Sequence, residues 1–342
     1  ALSLSCSPAV ISMALYLPAA CNNTHHPNNF FTGTQHGVDD TMTSSRYLAS
    51  LIPLFTALFV SATTYSQDED LCSVSLQCES SWIGLGVAER AAVFEFAEDY
   101  KSFIHLARTE LSFVAEAVAF AEASGFERLT ATTRLTAGTK IYEVNRDRTI
   151  SLLVIGAESM GNGFHVIGSH IDSPRLDLKA RPLYEDSEFA LFQTNYHGGL
   201  KYHQWTNLPL ALLGRIDRKD GSTVAVSVGL NADDPVFMIP ELSPHVDRGR
   251  NSQTLGDFIG PEDLDPVVAH IPGQDDDVVA QVLAYLDQQY AVSRADLVSA
   301  ELALVPAGPP RDMGFDRGLI TAYGQDDRLA SYAAIRALSL SM

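Results

Sequence analysis

Two short stretches hold the residues best suited to chemistry. In 164-FHVIGSHIDSPRLDLKARPLYED-186 an imidazole and a carboxylate, His170 and Asp172, stand two positions apart, where an apolar run gives way to a charged loop punctuated by proline. In an extended chain residues i and i+2 point to the same side, so the two groups can face one point in space. That geometry suits a metal ligand with a carboxylate behind it, and it equally suits a strand running out into solvent. In 324-GQDDR-328, Asp326 and Asp327 precede a helical run of small and apolar residues. Aspartates there can cap the helix, whose N-terminal end favours negative charge, or they can hold a cation. The two oxygens of a carboxylate diverge, so one such residue can bridge two zinc ions about 3.5 to 4 Å apart, a known hydrolytic device.

The surrounding pattern describes the elements that must position these groups. Phe164, Val166 and Ile167, bounded by Gly163 and Gly168, predict a buried strand ending near Ser169, adjacent to a strand over Ile150 to Ile155. Residues 88–124 carry apolar side chains at helical spacing, among them Phe113, Ala117, Phe120 and Ala121. Gly125 is placed as a stop, and the run divides into two helices near Thr109. His105 falls in the first helix as a surface or core histidine. From 188 the pattern turns strand-rich, with Asp220-Gly221 as a turn into the alternating run Thr223 to Val228. A helix follows over Val278 to Tyr290, then a strand over Glu301 to Val305 that resumes the first domain. The expected organisation is a non-domain region 1–87, an α/β domain begun at 88–186 and resumed at 298–342, and a β-rich insertion at 187–297.

Composition narrows the function classes. The chain has 342 residues, 46% hydrophobic and 19% charged, ordinary values for a soluble globular protein. With 23 basic and 42 acidic side chains the net charge is -19, which opposes non-specific binding to nucleic acid. The four cysteines, at 6, 21, 72 and 78, leave the main body without a disulfide framework or a thiolate metal site, so any metal there is held by His, Asp or Glu. Ahead of the main body, segment 42–62 has one basic residue, Arg46, an apolar run, and Val60-Ser61-Ala62 as a small-residue cleavage pattern. It reads as a secretory signal, so the protein is expected to be exported, periplasmic or secreted, with a cytoplasmic location as the alternative. Pro53 and the shortness of the run argue against a stable membrane span.

Several long blocks stand in the order of a known family: EDYKSFIHLARTE, GSHIDSPRLDLKARPLYED, YHGGLKYHQW, DDPVFMIPELSPHV and VPAGPPRDMGFDRGLITAYGQDDR. From about Glu89 onward the chain resembles the aspartyl aminopeptidase and aminopeptidase I family of di-zinc metallopeptidases, in its bacterial form. The resemblance implies an α/β zinc-peptidase catalytic domain with a β-rich inserted domain that makes subunit contacts in a homo-oligomer. It implies peptide substrates, shortened by one N-terminal residue through metal-activated water, and two zinc ions per site in the full-length protein. His170 is implied to be a terminal ligand of one zinc and Asp326 the bridge between both. Asp172 is implied to stand behind the site and orient His170, fixing its tautomer and basicity. His245 falls where the family carries a histidine assigned to metal or to substrate contact from a neighbouring subunit, with a plain surface histidine as the other reading. His165, His197 and His203 match no ligand position.

The family pattern also requires a Glu-Glu pair after the bridging aspartate, a further acidic ligand and a late histidine, none of which follows Asp326 before Met342. Zinc needs about four ligands, or three and a water in a catalytic site. The expectation is therefore an incomplete catalytic domain lacking its general base and a poor enzyme as it stands, with a non-catalytic exported binding or assembly protein as the rival reading.

Overall fold

The computed structural model of the chain describes residues 80–250, 252–273 and 276–340. The signal-like segment 42–62 and all four cysteines lie outside the described residues. In the short stretch before the first long helix, the Arg90 guanidinium lies over the Trp82 ring and donates to the Trp82 and Leu85 carbonyls.

Two helices open the main body. Helix α1 (Val87–Leu106) buries Tyr100, Phe103 and Ile104, and α2 (Glu110–Ala123) buries Phe113, Val114, Ala117 and Ala121. The break falls at Thr109 because its hydroxyl accepts from the Ser112 amide while the Ser112 hydroxyl accepts from the Thr109 amide, a reciprocal cap that starts a new helix. At the other end Gly125 takes φ +84, a left-handed conformation natural to glycine.

A small sheet follows, formed by β1 (Glu127–Arg128), β2 (Lys140–Asn145) and β3 (Thr149–Val154), with β2 in the middle. The partner of β3 is thus β2, and the expected strand at 164–167 is absent: those residues join no ladder among the described residues, and Phe164 and Val166 are 71% and 59% exposed. The apolar types were right for a strand, but no neighbouring strand supplies the hydrogen bonds or the cover that a buried one requires.

The larger sheet is antiparallel throughout and has the order β7-β6-β9-β4-β5-β8. Its strands are β4 (Arg175–Asp186), β5 (Phe189–His197), β6 (Leu210–Asp217), β7 (Thr223–Val228), β8 (Val267–Ala269) and β9 (Ala300–Pro306). Helix α3 (Val278–Tyr290), capped by the Asp277 carboxylate, packs Val278, Val279 and Leu286 into the core of this sheet with Phe192, Leu212 and Leu304. Strand β9 sits between β4 and β6, so the boundaries expected at 187 and 297 cut through one continuous sheet that spans 175–306. The chain ends its described part with the hairpin β10 (Arg311–Met313) and β11 (Leu319–Thr321) and with helix α4 (Gln325–Leu340). A second core joins α1, α2, β2 and β3 to Tyr332 and Ile335 of α4, and it also takes in Ile171. No helix among the described residues is long and apolar enough to cross a membrane.

Candidate metal centre

Ile171 is the anchor of the first stretch. It is 1% exposed and packs in the helical core, which turns His170 and Asp172, its neighbours on either side, toward the opposite face. His170 Nδ1 lies 3.1 Å from Asp172 Oδ1 and 3.2 Å from the Asp172 carbonyl oxygen. Burial pushes the Asp172 carboxyl up, but hydrogen bonding from His197 and the charge of His170 outweigh it and hold the group below its ordinary range. A carboxylate and a carbonyl can only accept, so Nδ1 is the donor, and in the neutral form of the ring Nε2 keeps its lone pair. That Nε2 faces Asp326 Oδ1 at 3.5 Å.

The second stretch arrives with α4. Asp326 (φ -88, ψ 109) and Asp327 (φ -115, ψ 23) are not helical, so the regular turns begin at Arg328. Asp326 is therefore not one of the regular helical residues, and its side chain is 93% exposed. Three side chains fasten this corner to the 169–173 loop. The buried Arg328 donates from Nε to the Ile171 carbonyl at 3.0 Å, Ser331 donates to the His170 carbonyl at 3.0 Å, and Ser173 donates to the Asp326 carbonyl at 2.7 Å. Ser169 in turn donates to Ser331 at 2.5 Å. Arg328 lies over the Tyr323 ring, 5.3 Å from its centroid, and burial lowers its pKa. Gly324 between them takes φ +81, and a Cβ there would overlap the Arg328 guanidinium.

The structure thus brings together three of the four residues singled out from the sequence, His170, Asp172 and Asp326. The fourth, His245, lies on an exposed turn, and no hydrogen bond or ion pair joins it to this group among the described residues. Near it is a cleft of about 390 Å³ lined by Asn207, Glu241, Ser243, Pro244, Asp247 and Phe258. One histidine was passed over. His197 Nε2 stands 3.4 Å from Asp172 Oδ2, and its Nδ1 stands 3.7 Å from Asp177 Oδ2. Among the described residues no group of three or more His, Cys, Asp or Glu could hold a metal ion. His170 and Asp326 are a nitrogen and an oxygen donor, which fit zinc in kind, while zinc takes more donors than these two.

The family model described as aminopeptidase I zinc metalloprotease (M18) matches residues 103–342. A relative named probable M18 family aminopeptidase 1, from Clostridium acetobutylicum, is 38% identical over 268 residues, covering 76% of this chain and 58% of the relative. The chain therefore spans about three-fifths of the length of the curated relatives it matches. The crystal structure of aminopeptidase I from Clostridium acetobutylicum superposes with a TM-score of 0.69 at 34% identity, covering 77% of this chain and 59% of that one. A more distant likeness, 22% identical with a TM-score of 0.56 over 71% of this chain and 55% of the other, is to the structure of the S. cerevisiae mApe1 dodecamer and shows a shared fold. With a family model covering well over half its length and relatives of this identity, the chain belongs to the M18 family of aminopeptidase I zinc metalloproteases.

Proposed function

We propose that the whole protein is a zinc-dependent aminopeptidase that removes the N-terminal residue from peptides. The observation that carries this reading is the meeting of His170 Nε2 and Asp326 Oδ1 at 3.5 Å, drawn from stretches more than 150 positions apart and fastened by Arg328, Ser331 and Ser173. Bound zinc would supply Lewis acidity toward water and the peptide carbonyl. The chain's own residues do the rest. In the neutral ring His170 presents a lone pair at Nε2, Asp172 retains the proton at Nδ1, and Asp326, with its carboxylate open to solvent, would hold zinc through its oxygens. His245 serves as a substrate contact, and the β-rich sheet at 175–306 carries self-association. The protein is exported through segment 42–62.

Zinc titration of a polypeptide of the relatives' full length by calorimetry, with elemental analysis, tests the metal assignment. Asp326→Asn is expected to weaken zinc uptake at least 10-fold, the usual scale for disturbing such a site. Equal zinc uptake by both proteins returns Asp326 and Asp327 to the role of helix caps. With two donors among the described residues, residues 1–342 by themselves are expected to hydrolyse aminoacyl anilides at a rate near background.

A further inference from the structure

We propose that His197 is a positioning residue for the His170 and Asp326 pair, acting through Asp172; this rests on the metal reading above. Asp172 has two carboxylate oxygens with separate partners. Oδ1 takes the His170 Nδ1 proton at 3.1 Å, and Oδ2 meets His197 Nε2 at 3.4 Å. Because the carboxylate can only accept, His197 Nε2 is the donor. A carboxylate held at one oxygen alone can turn about its last bond, while one held at both presents Oδ1 in a fixed direction. His197 is what holds the second oxygen.

The location of His197 follows from the hairpin. It is the last residue of β5 and pairs directly with Arg175, the first residue of β4. Arg175 and Asp177 share that face of β4, and Arg175 donates to Asp177 Oδ1 and Glu110 Oε1, both at 2.7 Å. Asp177 Oδ2 then faces His197 Nδ1. An alternating series of charges and imidazoles therefore runs from the N-terminal turn of α2 through Glu110, Arg175, Asp177, His197 and Asp172 to His170. The Glu110 and Arg175 end is rigid, since each side chain is only 10% exposed. His197, at 38% exposure, links that buried anchor to the open face where His170 works.

Two measurements test this, the first on the 342-residue chain and the second on a polypeptide of the relatives' full length. Long-range 1H–15N NMR at fixed neutral pH reads which nitrogen of His170 carries the proton, without any metal. Zinc titration reads the affinity of the pair. His197→Ala and His197→Phe, the second keeping a ring in place, are expected to shift His170 from the Nδ1–H tautomer toward a mixture and to weaken zinc roughly 10-fold. His197→Gln, which retains an N–H donor, is expected to restore most of both. Wild-type tautomer and affinity in a folded His197→Phe chain overturn the proposal, as does an Nε2–H tautomer for His170 in the wild type. If the wild-type polypeptide of full length takes up no zinc while the tautomer still depends on His197, the metal reading fails and the positioning role stands.

Discussion

Removing Glu110 would leave the Arg175 guanidinium buried with Asp177 as its remaining anion. Burial alone works against the Arg175 charge, and the two carboxylates outweigh it and raise its pKa. Breaking a buried pair from one side typically costs about 3 to 5 kcal/mol, so Glu110→Ala is expected to lose about 3 kcal/mol in urea denaturation. A loss below about 1 kcal/mol would mean that Asp177 alone suffices. At the proposed metal centre, in a polypeptide of the relatives' full length, Asp172→Asn is expected to keep most of its zinc at saturating metal and to lose roughly 10 to 100-fold in rate. Asp326→Asn should lose zinc and turnover together; equal effects from the two substitutions would contradict their different roles. That His170, Asp172 and Asp326 could stand together was open to sequence reading because each sits in a short, ordered motif. His197 was not, because its placement depends on a register shift in β4 and β5. Near the turn Asp186 pairs with Phe189, and continuing that register would set Leu200 opposite Arg175. An irregularity between Leu178 and Leu183 moves the pairing by three residues and brings His197 there instead.

Among the elements, the two opening helices could be read accurately because their signals are local: the Thr109 cap, the Gly125 stop and a period of 3.6. Thr109→Ala is expected to cost about 1 kcal/mol, the usual value of an N-cap, seen as a lower thermal midpoint. Helix α3 ends differently, with Ala291 in the left-handed conformation at φ 52 and ψ 45. An alanine there carries a strain of about 1 kcal/mol that glycine does not. Ala291→Gly should therefore raise stability by about 0.5 kcal/mol after the added freedom of the unfolded chain is set against it, and a lower thermal midpoint would refute this. Gly214 of β6 is the opposite case. At φ +143 its missing side chain admits the Glu301 carbonyl of β9, and a Cβ would overlap that oxygen. Gly214→Ala is expected to destabilise the sheet by about 3 kcal/mol. The elements that eluded sequence reading depend on distant partners. Residues 164–167 have strand composition without a strand beside them, and β3 found β2, which local pattern had not marked.

For the whole molecule, two expectations concern assembly and export. If the sheet at 175–306 carries self-association, light scattering should give a mass above the 37.1 kDa of one chain. Joining 174 to 307 by a short linker should then give a single-chain species, since the core of α1, α2, β2, β3 and α4 is built without that sheet. An unchanged multimer would rule this out. Expression from Met42 in a bacterial host should yield a mature N-terminus near Thr63 by mass spectrometry; intact protein still bearing Leu48 to Val60 would refute export. The central position of β9 also sets a timetable for synthesis on the ribosome. Leu304 faces Leu176 on one side and Leu212 on the other, so residue 176 must wait for residue 304 before its half of the sheet can close. At about 5 to 20 residues per second that wait is on the order of 10 s. During it, β4 with β5 and β6 with β7 present open edges that other nascent chains can occupy. Ribosome-bound chains halted just before Ala300 should be cut readily by protease, and chains halted once Pro306 has cleared the exit tunnel should resist; equal resistance would show that the two halves close without β9.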